Sequence, residues 1–168
     1  MTDKRLVAPN IKIRHEIKPG DIGYVLYLHG LLYAEEYGLE HTFEADVAAS
    51  LSEFYSTFEP SQDRLWLAEN NGQITGSIAI VGRSELEAQL RWYLIHPTNR
   101  GLGLGKALLD EAIMFCKERK YRTVYLWTFS ELTKAIELYK LAGFELTEEK
   151  THHIWGRKLI EQRYILYL

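Results

Sequence analysis

Near the start of the chain, apolar and polar positions alternate: Ile11, Ile13, His15 and Ile17 are interleaved with Lys12, Arg14 and Glu16. A period of two predicts a strand. Pro19 and Gly20 stop it, and Asp21 is placed to cap a helix. Helices are expected near 21–37 and 43–58, the first ended by Gly38 and the second capped by Thr42. Arg64 to Glu69 reads as a strand, Asn70, Asn71 and Gly72 as a hairpin turn, and Gln73 to Val81 as the returning strand. Another strand runs from Leu86 to His96 and ends at Pro97. After a glycine-rich turn, Leu104, Leu108, Ala112 and Phe115 recur near helical spacing, which predicts a helix to about Lys120. Arg122 to Thr128 is then a strand, 131–142 a helix ended by Gly143, and 144–168 a pair of strands. This order predicts an α/β (α+β) fold: a mixed, mostly antiparallel sheet of about six or seven strands with helices on both faces.

Composition narrows the picture. A chain of 168 residues, 46% hydrophobic and 26% charged, suits one domain with its own core. Residues 1–10 are polar with one proline and are expected to form a loose arm, leaving 11–168 as the domain. The net charge of −3 argues against nucleic acid as a partner. No run approaches the ~20 apolar residues of a membrane helix, and Met1 to Asn10 does not read as a signal peptide. The one cysteine, Cys116, allows no internal disulfide and no paired-cysteine metal site. A cytoplasmic protein without metal is expected.

Candidate chemistry concentrates in Arg100, Gly101, Leu102, Gly103, Leu104, Gly105 and Lys106, between a strand and a helix. Glycines remove side chains where the chain turns, so several backbone N–H groups can converge on one anion. The helix that starts there adds partial positive charge. The arrangement suits a pyrophosphate. It is not a Walker loop, because Arg100 stands where the first glycine belongs and Ala107 where the hydroxyl for magnesium belongs. It is not a dinucleotide fingerprint either, since the glycines are spaced G-x-G-x-G. A plain glycine-rich connection is the alternative reading.

Arg100-x-x-Gly103-x-Gly105 resembles the Q/R-x-x-G-x-G/A motif of the GNAT acetyltransferases. The preceding Tyr93, Leu94, Ile95, His96 and Pro97 resemble that family's fourth strand, and Leu138, Tyr139, Lys140, Gly143 and Phe144 its later helix-to-strand motif. A narrower resemblance is to the acetyltransferase half of MarR–GNAT fusion proteins, carried by Pro19 to Gly23, His29 and Gly30, Tyr33, Glu36 to Gly38, Phe43 and Glu44, Leu126 to Thr128, and His152 and His153. With no room for a DNA-binding half, a stand-alone version is expected.

The resemblance implies a sheet whose fourth and fifth strands splay around acetyl-CoA. It places Tyr93, Leu94 and Ile95 along the pantetheine and acetyl group, and Gly101 to Lys106 at the pyrophosphate. Tyr139 becomes the acid that protonates the departing thiolate. The position seven residues before Tyr139, often an asparagine in the family, is Leu132 here. The implied reaction is acetyl transfer from acetyl-CoA to a primary amine, by direct attack.

Such a transfer needs a neutral amine, although an alkyl amine with a pKa of about 10 is mostly protonated at neutral pH. It also needs a polarised carbonyl and a protonated leaving thiolate. Gln89 occupies a position where some relatives carry a glutamate base, and Glu87 shares its strand face. His29, Tyr33 and Glu36 are spaced i, i+4, i+7 on one helix face. His29 and Glu36 are therefore candidates for base or amine anchor, and Tyr33, Trp92 and Trp127 for walls of the acceptor pocket. Each also has an ordinary reading as core or solvated helix residue. A small amine is the expected acceptor and a homodimer is possible in solution. The alternatives are a non-catalytic acyl-CoA-sensing module and a protein N-acetyltransferase.

Overall fold

The computed structural model describes residues 10–168, so all but the last residue of the expected arm lies outside the described residues. The chain runs β1 (Ile11–Arg14), α1 (Asp21–Tyr37), α2 (His41–Ser56), β2 (Arg64–Asn70), β3 (Gln73–Gly82), β4 (Glu87–Ile95), α3 (Leu104–Glu118), β5 (Thr123–Phe129), α4 (Thr133–Leu141), β6 (Glu145–Ile154) and β7 (Arg157–Tyr167). The strands form one seven-stranded sheet in the order β1-β2-β3-β4-β5-β7-β6. Every pairing is antiparallel except β4 with β5. Period-two patterning therefore identified the strands and their hairpins, and the mixed sheet stands as expected.

Both faces are covered. Along β2, Trp66 and Ala68 point to one face and Leu65 and Leu67 to the other. The first face packs against Leu104, Leu108, Ala112 and Phe115 of α3 and Ile136 of α4. The second packs against Val25, Leu28 and Leu32 of α1 and Val47, Leu51 and Phe54 of α2. Each such leucine, taken from water, stabilises the sandwich by roughly 1.5–3 kcal/mol.

Some expected boundaries move. The first strand stops at Arg14 rather than Ile17, because Arg14 turns to an ion pair with Asp21 at 2.8 Å and another with Glu69 at 2.6 Å. Asp21 is thus the first helical residue and an anchor, and Gly20, at φ 93°, is the cap. Thr42 lies inside α2, its hydroxyl donating to Glu40 at 2.8 Å, and the cap position is Glu40. Among the described residues no helix is long and apolar enough to cross a membrane.

Candidate active site

β4 runs beside β3 for its whole length but beside β5 only from Glu87 opposite Thr123 to Gln89 opposite Tyr125. Past that point the parallel strands diverge, leaving facing backbone edges without a ladder. A bulge accompanies the divergence. Register slips between Ser77 and Ala79, so Trp92 and Tyr93 together stand opposite Ile78. Trp92 takes φ 47°, the left-handed region, rare for a bulky residue. The Ser77 hydroxyl donates to its carbonyl at 2.7 Å and holds the bend. The bulge resets the alternation: Leu90 and Tyr93 face α3, while Trp92 and Leu94 face α1 and α2.

A cleft of about 720 Å³ passes through this gap and is lined from both faces of the sheet. On the α3 side it is bounded by the glycine turn. Gly101 and Gly103 both take φ 77°, where any side chain would be strained. Gly103 caps α3, so the first N–H groups of that helix open on the cleft. Gly101, Gly103, Leu104, Gly105 and Lys106 line it, whereas the Leu102 side chain is turned to solvent. Gly105 has a second reason to be glycine: a Cβ there would sit 2.8 Å from the Tyr93 hydroxyl and 3.2 Å from Leu138. Lys106 pairs with Asp110 at 2.7 Å.

Tyr139 approaches from α4. It is 5% exposed and packs against Tyr93 and Phe144, each with ring centroids 5.7 Å away. Burial pushes its hydroxyl well above the ordinary tyrosine value, so it is held protonated. The Tyr93 hydroxyl and Thr128 Oγ1 are buried with no hydrogen-bond partner among the described residues, and both residues line the cleft. Leu132 lies at the α4 cap and lines it too. Tyr93, Leu94 and Ile95 all border the gap, with Tyr93 and Ile95 packed toward α3 and Leu94 toward α1.

On the other side α1 contributes His29, Tyr33 and Glu36 to the cleft wall. His29 and Tyr33 stack with centroids 5.7 Å apart. The Val25 carbonyl can only accept, so His29 Nδ1–H donates to it at 2.8 Å and Nε2 carries the lone pair, buried and without a partner among the described residues. Desolvation pulls His29 down to about 4, so it is neutral at physiological pH. Burial raises the Tyr33 hydroxyl. Glu36 is not free: both carboxylate oxygens accept from Arg100, at 2.7 and 2.8 Å. Arg100 in turn donates from Nε to the Ile95 carbonyl at 3.0 Å, tying α1 to the glycine turn. Both Glu36 oxygens are thus committed to the guanidinium as hydrogen-bond acceptors.

Trp92 is buried against Phe54, with its ring 5.2 Å away, while Trp127 is 37% exposed at the cleft. Gln89 is locked, its Oε1 accepting from Arg83 and from the Tyr125 hydroxyl. Glu87 accepts from Thr123 at 3.3 Å and lies outside the cleft lining.

Sequence reasoning missed several residues of this wall. Asp46 of α2 accepts the Trp155 indole N–H at 2.7 Å, which pins the tip of the β6–β7 hairpin over the cleft. Glu161 of β7 lies 3.2 Å from His152. Arg91 of β4 faces the same space. None belongs to a local motif, and each is brought in by tertiary pairing. Among the described residues no group of three or more His, Cys, Asp and Glu side chains is placed to hold a metal.

The acetyltransferase (GNAT) family model matches residues 23–144. An uncharacterized N-acetyltransferase of Schizosaccharomyces pombe is 30% identical over 124 residues, 72% of this chain and 75% of that protein. The chain spans 41% to 46% of the length of other curated relatives that it matches. Among solved structures, a GNAT acetyltransferase of Staphylococcus aureus superposes with a TM-score of 0.77 at 23% identity, covering 94% of this chain and 99% of that one. A GNAT acetyltransferase of Elizabethkingia anophelis with acetyl-CoA bound superposes at 0.64 and 19% identity, covering 96% and 100%. With a family model matching across the divergent strands and the glycine turn, this chain belongs to the GNAT acetyltransferase family.

Proposed function

We propose that the protein is an acetyl-CoA-dependent N-acetyltransferase whose acceptor is a small primary amine. The observation that carries this reading is the divergence of β4 from β5 after Gln89, which joins the glycine turn on one face to an enclosed wall of α1 and α2 on the other. Acetyl-CoA enters from the α3 side, with its pyrophosphate on the amides of Gly101 to Lys106 and its pantetheine along Tyr93 to Ile95. The Elizabethkingia protein, alike in fold, binds acetyl-CoA, which supports acetyl-CoA as the ligand of this cleft. The amine enters from the α1 and α2 side.

The amine nitrogen attacks the thioester carbonyl. A C–N bond forms, the C–S bond breaks, and the developing oxyanion is met by backbone N–H groups on the free edge of β4. The ammonium form first gives a proton to bulk solvent; after attack the nitrogen gives a second proton to water in the cleft, the leaving thiolate takes one from Tyr139, and that water returns a proton to the Tyr139 oxygen. On unperturbed values of about 10 and 8.5, the thiolate protonation is uphill by ~2 kcal/mol. Burial raises the Tyr139 hydroxyl further, so the transfer requires that the same apolar surroundings also raise the leaving thiol. Glu36, clamped by Arg100, serves as an anchor that joins the acceptor wall to the cofactor turn. His29, neutral and with a lone pair on Nε2, serves as an acceptor of hydrogen bonds more readily than as a base. Tyr33, Trp92 and Trp127 form the walls. The likeness to the acetyltransferase half of MarR–GNAT fusions belongs to the same proposal.

The test is incubation with acetyl-CoA and a panel of amines, reading thiol release. Acetyl-CoA-dependent release with small amines is expected. Tight acetyl-CoA binding with no turnover on any amine or peptide would favour the sensing module, a reading prompted by Leu132 and the clamped Glu36. Turnover confined to peptides would make the protein a protein N-acetyltransferase.

A further inference from the structure

We propose that the acceptor amine also bears a carboxylate and that Arg91 receives it. This deepens the N-acetyltransferase reading and rests on it. Arg91 sits on β4 immediately before the bulge. It pairs with Ala79, whose side chain lies in the α1 and α2 cluster, so Arg91 points to the acceptor side of the sheet. Its guanidinium lies 4.7 Å from the centroid of the Trp92 ring. The consecutive projection of Arg91 and Trp92 to one face is a product of the bulge, which brings the cation to the edge of the strand divergence.

Stacking on Trp92 occupies the guanidinium face and leaves its edge donors free. A guanidinium has five such donors and stays charged. Among the described residues, none of them finds a hydrogen bond, and no carboxylate lies within 4.0 Å of Arg91, the limit within which Arg14, Arg100 and Arg157 find theirs. Half-buried, Arg91 loses hydration and is further disfavoured by Arg83, while the Tyr125 hydroxyl and Glu53 favour its charge without pairing with it directly. A desolvated, uncompensated cation at a cleft wall is costly unless a ligand supplies the anion.

The rest of the wall agrees. Arg100, the other arginine at the cleft, is already neutralised by Glu36. Asp46 is engaged by Trp155 and Glu161 lies beside His152. The pyrophosphate turn lies on the α3 side, so the phosphates of the cofactor are not the missing anion. A carboxylate matches the planar fork in two parallel hydrogen bonds. An amino carboxylate bound this way presents its nitrogen to the thioester while its carboxylate is held one residue before the bulge.

The test compares matched acceptors: L-phenylalanine against phenethylamine, L-leucine against isoamylamine, and 4-aminobutyrate against butylamine. Carboxylated members are expected to have kcat/KM higher by about 10-fold or more, from charge-assisted pairing. Arg91→Gln is expected to raise KM for the carboxylated member about 10- to 100-fold and to collapse the ratio within each pair toward one, with Arg91→Lys recovering part of it. Equal turnover within the pairs, or a preference that survives in Arg91→Gln, would overturn the inference and leave the transferase reading intact. If acetyl-CoA binds but no amine turns over, the transferase reading fails by itself. The carboxylate site is then read by calorimetric titration of N-acetyl-L-phenylalanine into CoA-loaded protein. Binding that is lost in Arg91→Gln supports it, and no binding to the parent protein overturns it.

Discussion

His29 makes the fold acid-sensitive in a way that can be isolated. In the folded protein it is neutral, fully enclosed, and held down to about 4 by desolvation, against an ordinary 6.5. The unfolded chain therefore binds a proton that the folded chain refuses, and the sign follows: stability is unaffected above about pH 6.5 and falls as pH drops toward 4. At about 1.4 kcal/mol per pH unit, the full interval is worth ~3 kcal/mol. Between about pH 7 and pH 5 the share is about 2 kcal/mol, because titration of the unfolded chain is then nearly complete while the folded chain has barely begun. Urea denaturation of the parent protein and of His29→Leu at several pH values measures it. Protonation of carboxylates lowers the stability of both, so the difference between the curves reports His29 alone. The parent should lose about 2 kcal/mol more than the variant over that interval. Parallel curves would show that His29 is hydrated or paired in the folded state, and the neutral assignment would fall. His29→Gln serves as a second uncharged comparison should leucine pack poorly.

Other predictions test the cleft. Tyr139→Phe should lower kcat with little change in acetyl-CoA affinity, by about 10- to 100-fold in steady-state assays if it acts as the acid; unchanged kcat would remove it from the mechanism. Gly105→Ala should destabilise by about 1–3 kcal/mol, because its Cβ meets a rigid ring end. Adding Tyr93→Phe should restore much of that loss in denaturant unfolding, and strictly additive effects would refute the contact. Cys116 is buried, with its thiol pushed up to about 12, so it should not react with a disulfide reagent in native protein, and only denaturation should reveal it.

How much of this was legible in the sequence depended on the range of the interactions. Strands and hairpins such as Asn70 to Gly72 are set by local alternation and turn chemistry, so they could be read directly. The glycine turn was equally local, and its positive φ values at Gly101 and Gly103 explain why those residues are glycine. The left-handed φ of Trp92 could not be read, because a bulky residue there carries no local signal and the bend is held by Ser77 from a neighbouring strand. The clamp of Glu36 by Arg100 spans 64 positions, and that of Asp46 by Trp155 spans 109. Helix-face spacing correctly placed His29, Tyr33 and Glu36 on one wall, but it said nothing of which partner would reach them. Thr42 is not the cap because α2 starts at His41, which puts Glu40 at the cap position and Thr42 inside the helix.

In the proposed complex, bare amides at the start of α3 hold the cofactor phosphates beside the gap between β4 and β5. A crystal structure with coenzyme A, paired with calorimetric titration of Gly103→Glu, decides whether they do. The pyrophosphate is expected on residues 101–106, the sulfur between the strands within hydrogen-bond reach of Tyr139, and no measurable coenzyme A binding by Gly103→Glu. Coenzyme A seated elsewhere, or bound undiminished by that variant, would contradict this placement.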